Sequence, residues 1–249
     1  MYGQIGAPRG GRRLTWLVIF GVVLVTGLGL AGCNKKTAAH RGNQSFLSPD
    51  WNSSAVTTLA FCGVRTSTGG ETDRAEAEQI VEAELRGSQD RFVILTMKNA
   101  DTRAEAAGQT ELLDRVRRVW RDDQLVDQFL AKDLCKALGV EGLLLGDLGD
   151  WTEQRIDISQ EGTSWTRVEL GLYIYSADSG LLVWGADRSL RKDSIPYRPS
   201  AVVGEGAVAN ERAERRSERA SSVTPDPPEI ETVAHELMGE ILAVFPPKE

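Results

Sequence analysis

The feature that most constrains the fold is a run of alternating apolar and polar residues in the second half of the chain. The alternation separates two sets of side chains, Val168, Leu170, Leu172 and Ile174 against Arg167, Glu169, Tyr173 and Tyr175. A period of two is typical of a half-buried strand. The turn sequence Ala177-Asp178-Ser179-Gly180 follows, and residues 181–184 form an apolar return. We therefore predict an antiparallel hairpin with one face on a core and the other toward solvent or a partner.

Further elements are predicted on both sides of this hairpin. Apolar β-type runs predict strands at 55–64, 91–97 and 140–148, and helical spacing predicts helices before Gly87, at 112–138 and after residue 226. In the last helix Asp226 is the expected cap, Pro227 stands in the first turn and Glu229 completes a capping box. The pattern predicts an α/β protein of the α+β kind, with helices packed on a mixed sheet.

The amino-terminal segment has the features of an export signal. Arg9, Arg12 and Arg13 precede an uncharged apolar run at 14–31, which ends in Leu30-Ala31-Gly32-Cys33. These four residues match the bacterial lipobox, in which small residues precede a cysteine whose sulfur accepts a diacylglyceryl group. A membrane-spanning helix, which needs about 17 to 25 apolar residues, and a twin-arginine signal are the alternatives, and both match the sequence less well.

This interpretation divides the chain into three parts. Residues 1–32 are a signal peptide, 33–53 a flexible polar tether, and 54–249 a single domain with a charged, loosely structured insertion at about 190–225. Loss of the three signal arginines changes the formal net charge from −7 to −10. Such an acidic surface argues against nucleic acid as a partner, because nucleic-acid binders usually present a basic patch.

Two cysteines remain beyond Cys33. Cys62 lies in a predicted strand and Cys135 in a predicted helix. An oxidising compartment permits a disulfide between them, and two separate buried thiols are the equal alternative.

The residues that could carry catalysis or bind a metal are few. His40 and His235 are the two histidines, and neither has a second histidine at helical spacing, so we predict no metal site. The chain lacks a Gly-x-Ser-x-Gly elbow, a phosphate loop and a Cys-x-x-Cys pair. Asp147, Asp150 and Glu153 cluster after the third predicted strand, and paired acids of this kind could serve glycoside hydrolysis.

Aromatic residues gather around the hairpin. Trp165, Tyr173 and Tyr175 are candidates for an interface because aromatic side chains supply much of the contact energy between proteins. Packing in the core is the alternative for both tyrosines.

Two segments resemble a known superfamily. Residues 138–147 read Leu-Gly-Val-Glu-Gly-Leu-Leu-Leu-Gly-Asp, and residues 177–184 read Ala-Asp-Ser-Gly-Leu-Leu-Val-Trp. The order of elements and these segments resemble envelope lipoproteins that include the CsgG-like curli-secretion family, the LpoB-like regulators of cell-wall synthases and the amino-terminal domain of TolB. Ser176 departs from the pattern, which has an acid there. The resemblance implies an α/β sheet covered by helices, no catalytic residues and no cofactor besides the diacylglyceryl and N-acyl lipid on Cys33.

These observations predict a non-enzymatic lipoprotein of the cell envelope. Asn34 after Cys33 favours the inner leaflet of the outer membrane, with the domain facing the periplasm. We expect it to bind another envelope protein or itself, with no small-molecule substrate. The alternatives are a subunit of a CsgG-like oligomeric secretion pore and, in another class, a cell-wall hydrolase using Asp147, Asp150 or Glu153.

Overall fold

The computed structural model describes residues 43–51, 56–87, 92–156, 162–194 and 225–246. These residues contain six strands and five helices. In chain order they are β1 (Gln44–Leu47), β2 (Thr58–Thr66), α1 (Glu71–Gly87), β3 (Val93–Leu95), α2 (Met97–Ala106), α3 (Thr110–Asp123), α4 (Gln128–Leu138), β4 (Gly142–Gln154), β5 (Trp165–Ser176), β6 (Leu182–Asp193) and α5 (Ile230–Ala243).

The six strands form one mixed sheet in the order β1-β6-β5-β4-β2-β3. β2 lies parallel to β3 and to β4, because helices connect these strands. The pairs β4–β5, β5–β6 and β6–β1 are antiparallel. The predicted α+β class, with helices packed on a mixed sheet, is therefore confirmed.

The predicted hairpin is formed by β5 and β6. Leu172 pairs with Ala186 in its central register, and both side chains are buried. The even-numbered residues of β5 from Thr166 to Ile174 are buried, whereas Arg167, Glu169 and Tyr173 are half-buried on the other face. The alternation in the sequence therefore predicted the two faces of this strand.

Helices pack on both faces of the sheet and create two apolar clusters. α1 and α5 cover one face, where Phe61, Leu144 and Trp184 belong to the first cluster. α2, α3 and α4 lie on the other face, where Cys62, Trp120 and Cys135 belong to the second. Cys62 and Cys135 are both buried free thiols in this cluster, which corresponds to the second of the two alternatives given above.

The structure differs from the sequence expectation at the predicted tether. Residues 44–47 form β1, which pairs with β6, and the N–H of Ser48 donates to the carbonyl of Val183 at 2.8 Å. Trp51 is half-buried against the first apolar cluster. The sequence did not predict this strand, because all four residues of β1 are exposed and so show no alternation of apolar and polar residues.

The last helix begins later than predicted. Its first residue is Ile230, not a residue next to Asp226, and its N-cap is Glu229, whose side chain makes no capping hydrogen bond. Pro228 explains the shift, because a proline disfavours helical geometry in the residue before it, here Pro227. The side chain of Glu153 instead accepts from the N–H of Ile230 at 3.0 Å.

Other boundaries also moved. β4 continues to Gln154 and β6 to Asp193, each beyond the predicted end of its apolar run. Because β6 extends to Asp193, residues 190–193 of the predicted insertion are strand, and its residues 195–224 lie outside the described residues.

The sequence did not predict α2, whose buried side chains among the described residues are Ala100 and Ala104.

Candidate interaction face on the outer part of the sheet

The two faces of the sheet are covered to different extents. On one face α1 and α5 contact β2, β4, β5 and β6, whereas on the other α2, α3 and α4 contact β2, β4 and β5. Beyond that second helical layer lie residues 150–154 of β4, 165–173 of β5, 185–193 of β6, and β1. We call the surface that these segments present on the side of α2, α3 and α4 the open face.

An ion pair marks the border between the helix-covered part and the open face. Arg65 on β2 stands opposite Asp147 on β4, and the guanidinium donates to the carboxylate at 2.7 Å. The two side chains are 3% and 2% exposed, so this pair is buried. The indole N–H of Trp120 donates to the carbonyl of Gly146 at 2.7 Å, and the Arg65 guanidinium lies 5.7 Å from the centroid of this ring. These two contacts of Trp120 hold α3 against β2 and β4.

Tyr173 is the central aromatic residue of the open face. Its ring lies against Gly171 on its own strand and Gly185 on β6, where a Cβ atom would come within 3.0 Å of the ring. Its hydroxyl donates to the carboxylate of Asp187, and its ring meets that of Trp120 edge-on at 5.3 Å. The two glycines therefore allow the tyrosine ring to lie across the strands.

One part of the open face is polar. Arg167 pairs with Glu169 on its own strand and with Asp150 on β4, the latter at 3.5 Å. The hydroxyl of Ser189 on β6 donates to Glu169 at 3.2 Å, so the network joins three strands. The Arg191 guanidinium lies 4.6 Å from the centroid of the Trp165 ring. These contacts order the side chains while leaving them accessible to another molecule.

Large apolar side chains are exposed on β1 and near the hairpin turn. Phe46 on β1 is 48% exposed and stands opposite Gly185, which the ring of Tyr173 flanks from the other side. Leu125, Phe129 and Leu181 are 64%, 67% and 50% exposed.

The three aromatic candidates from the sequence have different environments. Trp165 and Tyr173 are half-buried side chains of the open face. Tyr175 is only 2% exposed and belongs to the second apolar cluster, so it is a core residue, the alternative stated for it above. Its hydroxyl accepts from the N–H of Val126 at 3.3 Å, and burial raises the pKa of this phenol.

The three acids that suggested a hydrolase do not converge on one site. Asp147 is buried in its pair with Arg65. Asp150 contacts Arg167 and accepts a hydrogen bond from the Thr152 hydroxyl on the open face. Glu153 bonds to the first N–H of α5, which packs on the opposite face of the sheet. The sequence clustered these residues because they are neighbours along one strand, whose side chains alternate between the faces.

Other reactive groups are engaged or inaccessible. Burial raises the pKa of the Cys62 thiol to about 12 and also raises the pKa of Cys135. Nδ1 of His235 lies 2.7 Å from a carboxylate oxygen of Glu84 on α1. Within the described ranges no three histidine, cysteine or acidic side chains are grouped as metal ligands would be.

The residues of the predicted lipobox, Leu30, Ala31, Gly32 and Cys33, lie outside the described residues. Among the helices that are described, none is both long and apolar enough to cross a membrane.

Comparison with known proteins gave structural similarities alone. No protein-family model matches the chain, and no curated protein matches it. The similar solved structures include the PelC dodecamer from Paraburkholderia phytofirmans, with 11% identity, a TM-score of 0.43, and coverage of 81% of this chain and 94% of that one. Lipoprotein GNA1162 from Neisseria meningitidis has 11% identity and a TM-score of 0.41 over 65% of this chain and 99% of its own.

The carboxy-terminal domain of LpoB from Escherichia coli is also similar, with 14% identity, a TM-score of 0.35, and coverage of 54% of this chain and 82% of that one. Bacterial lipoproteins are thus among the similar structures. The likeness is distant in both sequence and backbone, so the function of this chain has to follow from its own residues.

Proposed function

We propose that this chain is a lipid-anchored lipoprotein of the bacterial cell envelope and that it works as a non-enzymatic binding and assembly module. The observation that carries this proposal is the open face, an ordered and accessible surface that β4, β5, β6 and β1 build beyond the helices. Its polar network and its accessible aromatic side chains, among them Phe46, are groups that protein interfaces combine.

The anchor is supported by the sequence alone. Cys33 follows Leu30-Ala31-Gly32 and an uncharged apolar run, and several acyl chains at about 0.8 kcal/mol per buried CH₂ hold a protein firmly on a membrane. Asn34 favours the outer membrane, which places the domain in the periplasm. Replacement of Cys33 by alanine is expected to move the protein from the membrane fraction to the soluble periplasmic fraction.

A binding role agrees better with the acidic residues than hydrolysis does. Asp147, Asp150 and Glu153 each bond to other groups of the fold and lie on two faces of the sheet. A pair of catalytic carboxylates must face one substrate from positions about 5 to 10 Å apart. Normal growth of cells carrying Asp150→Asn together with Glu153→Gln is the expected result.

The decisive experiment maps contacts of the open face in intact cells. A photo-crosslinking amino acid is introduced at Gln154 or at Arg191, both exposed on the open face, and at Glu240 on the outer side of α5 as the matched control. We expect covalent products of discrete mass from the first two positions and few from Glu240. Mass spectrometry then identifies either another envelope protein or a second copy of this chain.

Equal yields from all three positions, or none from Gln154 and Arg191, would contradict the proposal that the open face is the binding surface. A product that contains a second copy would favour self-assembly, which is the other form of the same function.

A further inference from the structure

A cavity of about 290 Å³ lies where the hairpin turn meets the segment that follows β1. Trp51, Val56 and Val183 form its apolar wall. Val56 and Val183 belong to the first apolar cluster and Trp51 packs against it, so the cavity is on the side of α1 and α5 and apart from the open face. Ligand sites typically measure about 300 to 1,000 Å³, so this cavity accommodates a small molecule or a single side chain.

Hydrogen bonds hold the backbone on both sides of the cavity. After β1, the N–H of Trp51 donates to the carbonyl of Ser48 at 3.0 Å, and the N–H of Ser48 donates to the carbonyl of Val183 at 2.8 Å. In the hairpin turn, the N–H of Gly180 donates to the carbonyl of Ser176 at 2.8 Å. The walls are therefore formed before anything binds, which lowers the entropic cost of binding.

Two carboxylates line the cavity from its two sides. Asp50 comes from the segment after β1, and Asp178 comes from the hairpin turn. Their backbone N–H groups donate to the hydroxyls of Ser48 and Ser176, each at 3.2 Å. Neither carboxylate has a hydrogen bond or an ion pair within the described part of the chain. The fold thus orders the backbone of both acids and leaves their charges without a partner.

No base accompanies these two acids among the described residues that line the cavity. Lys132 contacts the turn at Gly180 through its aliphatic carbons, and it does so from α4, which belongs to the other helical layer. At neutral pH the cavity therefore attracts a cation. Because Asp50 and Asp178 are exposed, water and salt weaken this attraction, and a specific site needs further contacts.

Ser176 supplies one such contact. The residue is only 8% exposed and lines the cavity. A serine hydroxyl has one proton and two lone pairs, and here one lone pair accepts from the N–H of Asp178. No other hydrogen bond of this hydroxyl occurs in the described ranges. Since buried polar groups are normally bonded, the remaining lone pair indicates a place for a polar ligand.

We propose that this cavity binds an ammonium group on a short aliphatic chain, such as an alkylamine or the side chain of a lysine. Asp50 and Asp178 balance its charge, and Ser176 accepts one of its N–H bonds. The indole of Trp51 attracts the cation, and the apolar wall covers the carbon chain. A calcium ion requires about six to eight oxygen ligands, which an apolar wall does not supply. The inference does not depend on the binding role proposed for the open face.

The test titrates butylammonium chloride into the mature chain without its lipid, residues 34–249, which contains every residue that the structure describes. The indole N–H signal of Trp51 in nuclear magnetic resonance spectra reports occupancy of the cavity, and its loss in Trp51→Phe identifies it. Butanol has a similar size and no charge, so it is the control for the ammonium group.

Two double variants separate the cavity from the general charge of the chain. Asp50→Asn with Asp178→Asn removes both charges and keeps the shape of the side chains. Asp114→Asn with Asp133→Asn, at exposed positions of α3 and α4, is the matched control because it changes the net charge equally. We expect the control variant to bind butylammonium like the unmodified chain, and the cavity variant at least about tenfold more weakly, a difference of about 1.4 kcal/mol. Ser176→Ala should weaken binding about threefold or more.

Equal affinity for butylammonium and butanol, or equal affinity of the two double variants for butylammonium, would overturn the proposal. Displacement of butylammonium by a tenfold lower concentration of calcium chloride would assign the cavity to a metal ion and would also overturn it. Lysine blocked as its acetyl methylamide distinguishes the two sources of the ammonium group. Tighter binding of blocked lysine than of butylammonium assigns the cavity to a side chain of another polypeptide, and the reverse order assigns it to a free amine.

Discussion

At the scale of single residues, the most consequential contact is the buried pair of Arg65 and Asp147. Removing one partner leaves the other charge buried without compensation, which typically costs about 3 to 5 kcal/mol. We expect Arg65→Met or Asp147→Leu alone to lower the free energy of unfolding by roughly this amount. Urea denaturation at neutral pH measures it.

The double variant Arg65→Met with Asp147→Leu is the control for this pair. Because replacement of both charges by apolar side chains leaves no unpaired ion, the double variant should be less destabilised than the sum of the two single variants. If the losses in free energy of unfolding of the two single variants add up to that of the double variant, the two charges do not stabilise each other.

Glu141 gives a prediction about pH. Its carboxylate accepts from the Thr57 hydroxyl and N–H, both at 2.6 Å, and from the Thr58 N–H at 2.7 Å. The Thr57 hydroxyl contributes most to lowering the pKa of Glu141, and burial opposes this. Since the folded pKa lies below the unfolded value of about 4.3, the ionised carboxylate stabilises the fold above that pH.

Glu141→Gln should therefore cost about 1 kcal/mol at pH 7. The difference from the unmodified chain should shrink as the pH falls below about 4.3, where the carboxyl is protonated first in the unfolded chain, and should be lost below the lowered folded pKa, where the folded carboxyl is protonated as well. Urea denaturation at several pH values tests this, with Glu105→Gln on the exposed side of α2 as the control. A difference that stays constant into acid would exclude the ionised carboxylate as its source.

The aromatic residues of β5 show how far the sequence could go at this scale. Alternation placed Tyr173 and Tyr175 on one face of the strand, as the structure has them. It could not separate a half-buried Tyr173 from a buried Tyr175, because the difference depends on where α4 and residues 124–127 cross the sheet. Phe46, Leu125 and Phe129 were missed as surface residues since single apolar residues in helical and polar segments carry no periodic signal of exposure.

At the scale of elements, the hairpin turn packs on α4, and glycine substitutions can measure that contact. Gly180 (φ +70°) and Gly139 (φ +63°) share the left-handed backbone conformation. A Cβ at Gly180 would collide with the Gln128 carbonyl, whereas a Cβ at Gly139 would meet open space. Gly139→Ala should cost about 1 kcal/mol for the backbone conformation alone.

Gly180→Ala should cost more, about 3 kcal/mol in all, because α4 or the turn must also move to relieve the collision. The difference between the two variants in urea denaturation isolates the contact between the turn and α4. Equal losses for the two variants would mean that the turn is not held against the helix in solution.

The elements differed in how well the sequence predicted them. α1 and the β5–β6 hairpin were predicted because each buries one full apolar face, as Ala77, Ile80, Val81 and Leu85 do in α1. β1 and the outer halves of β4 and β6 were not, since strands that are only partly covered keep polar residues and lose the periodic signal. The open face consists of these segments, so its residues were the hardest part of the molecule to predict.

At the scale of the whole molecule, the structure shortens the predicted tether. Ten residues, 34–43, separate Cys33 from the first residue of β1, and a chain of that length spans at most about 35 Å. If Cys33 carries the lipid that we propose, the segment between the lipid and the first strand is therefore about half as long as the sequence predicted.

The amino-terminal boundary of the domain can be tested with two truncated chains. A chain that starts at residue 43 keeps β1 and Trp51, whereas a chain that starts at residue 54 loses both. Without β1 the edge of β6 is uncovered in the second chain. This edge includes Trp184, which pairs with Leu47 of β1 in the full chain. We expect the first chain to match residues 34–249 in its free energy of unfolding.

The chain that starts at residue 54 should lose about 2 to 4 kcal/mol, because it lacks the backbone hydrogen bonds of β1 and the apolar contacts of Trp51. It should also self-associate, since an unprotected strand edge is a template for pairing with another chain. Urea denaturation and sedimentation velocity measure the two effects. Equal stability of the two truncated chains would restore the boundary that the sequence predicted and return residues 44–51 to the tether.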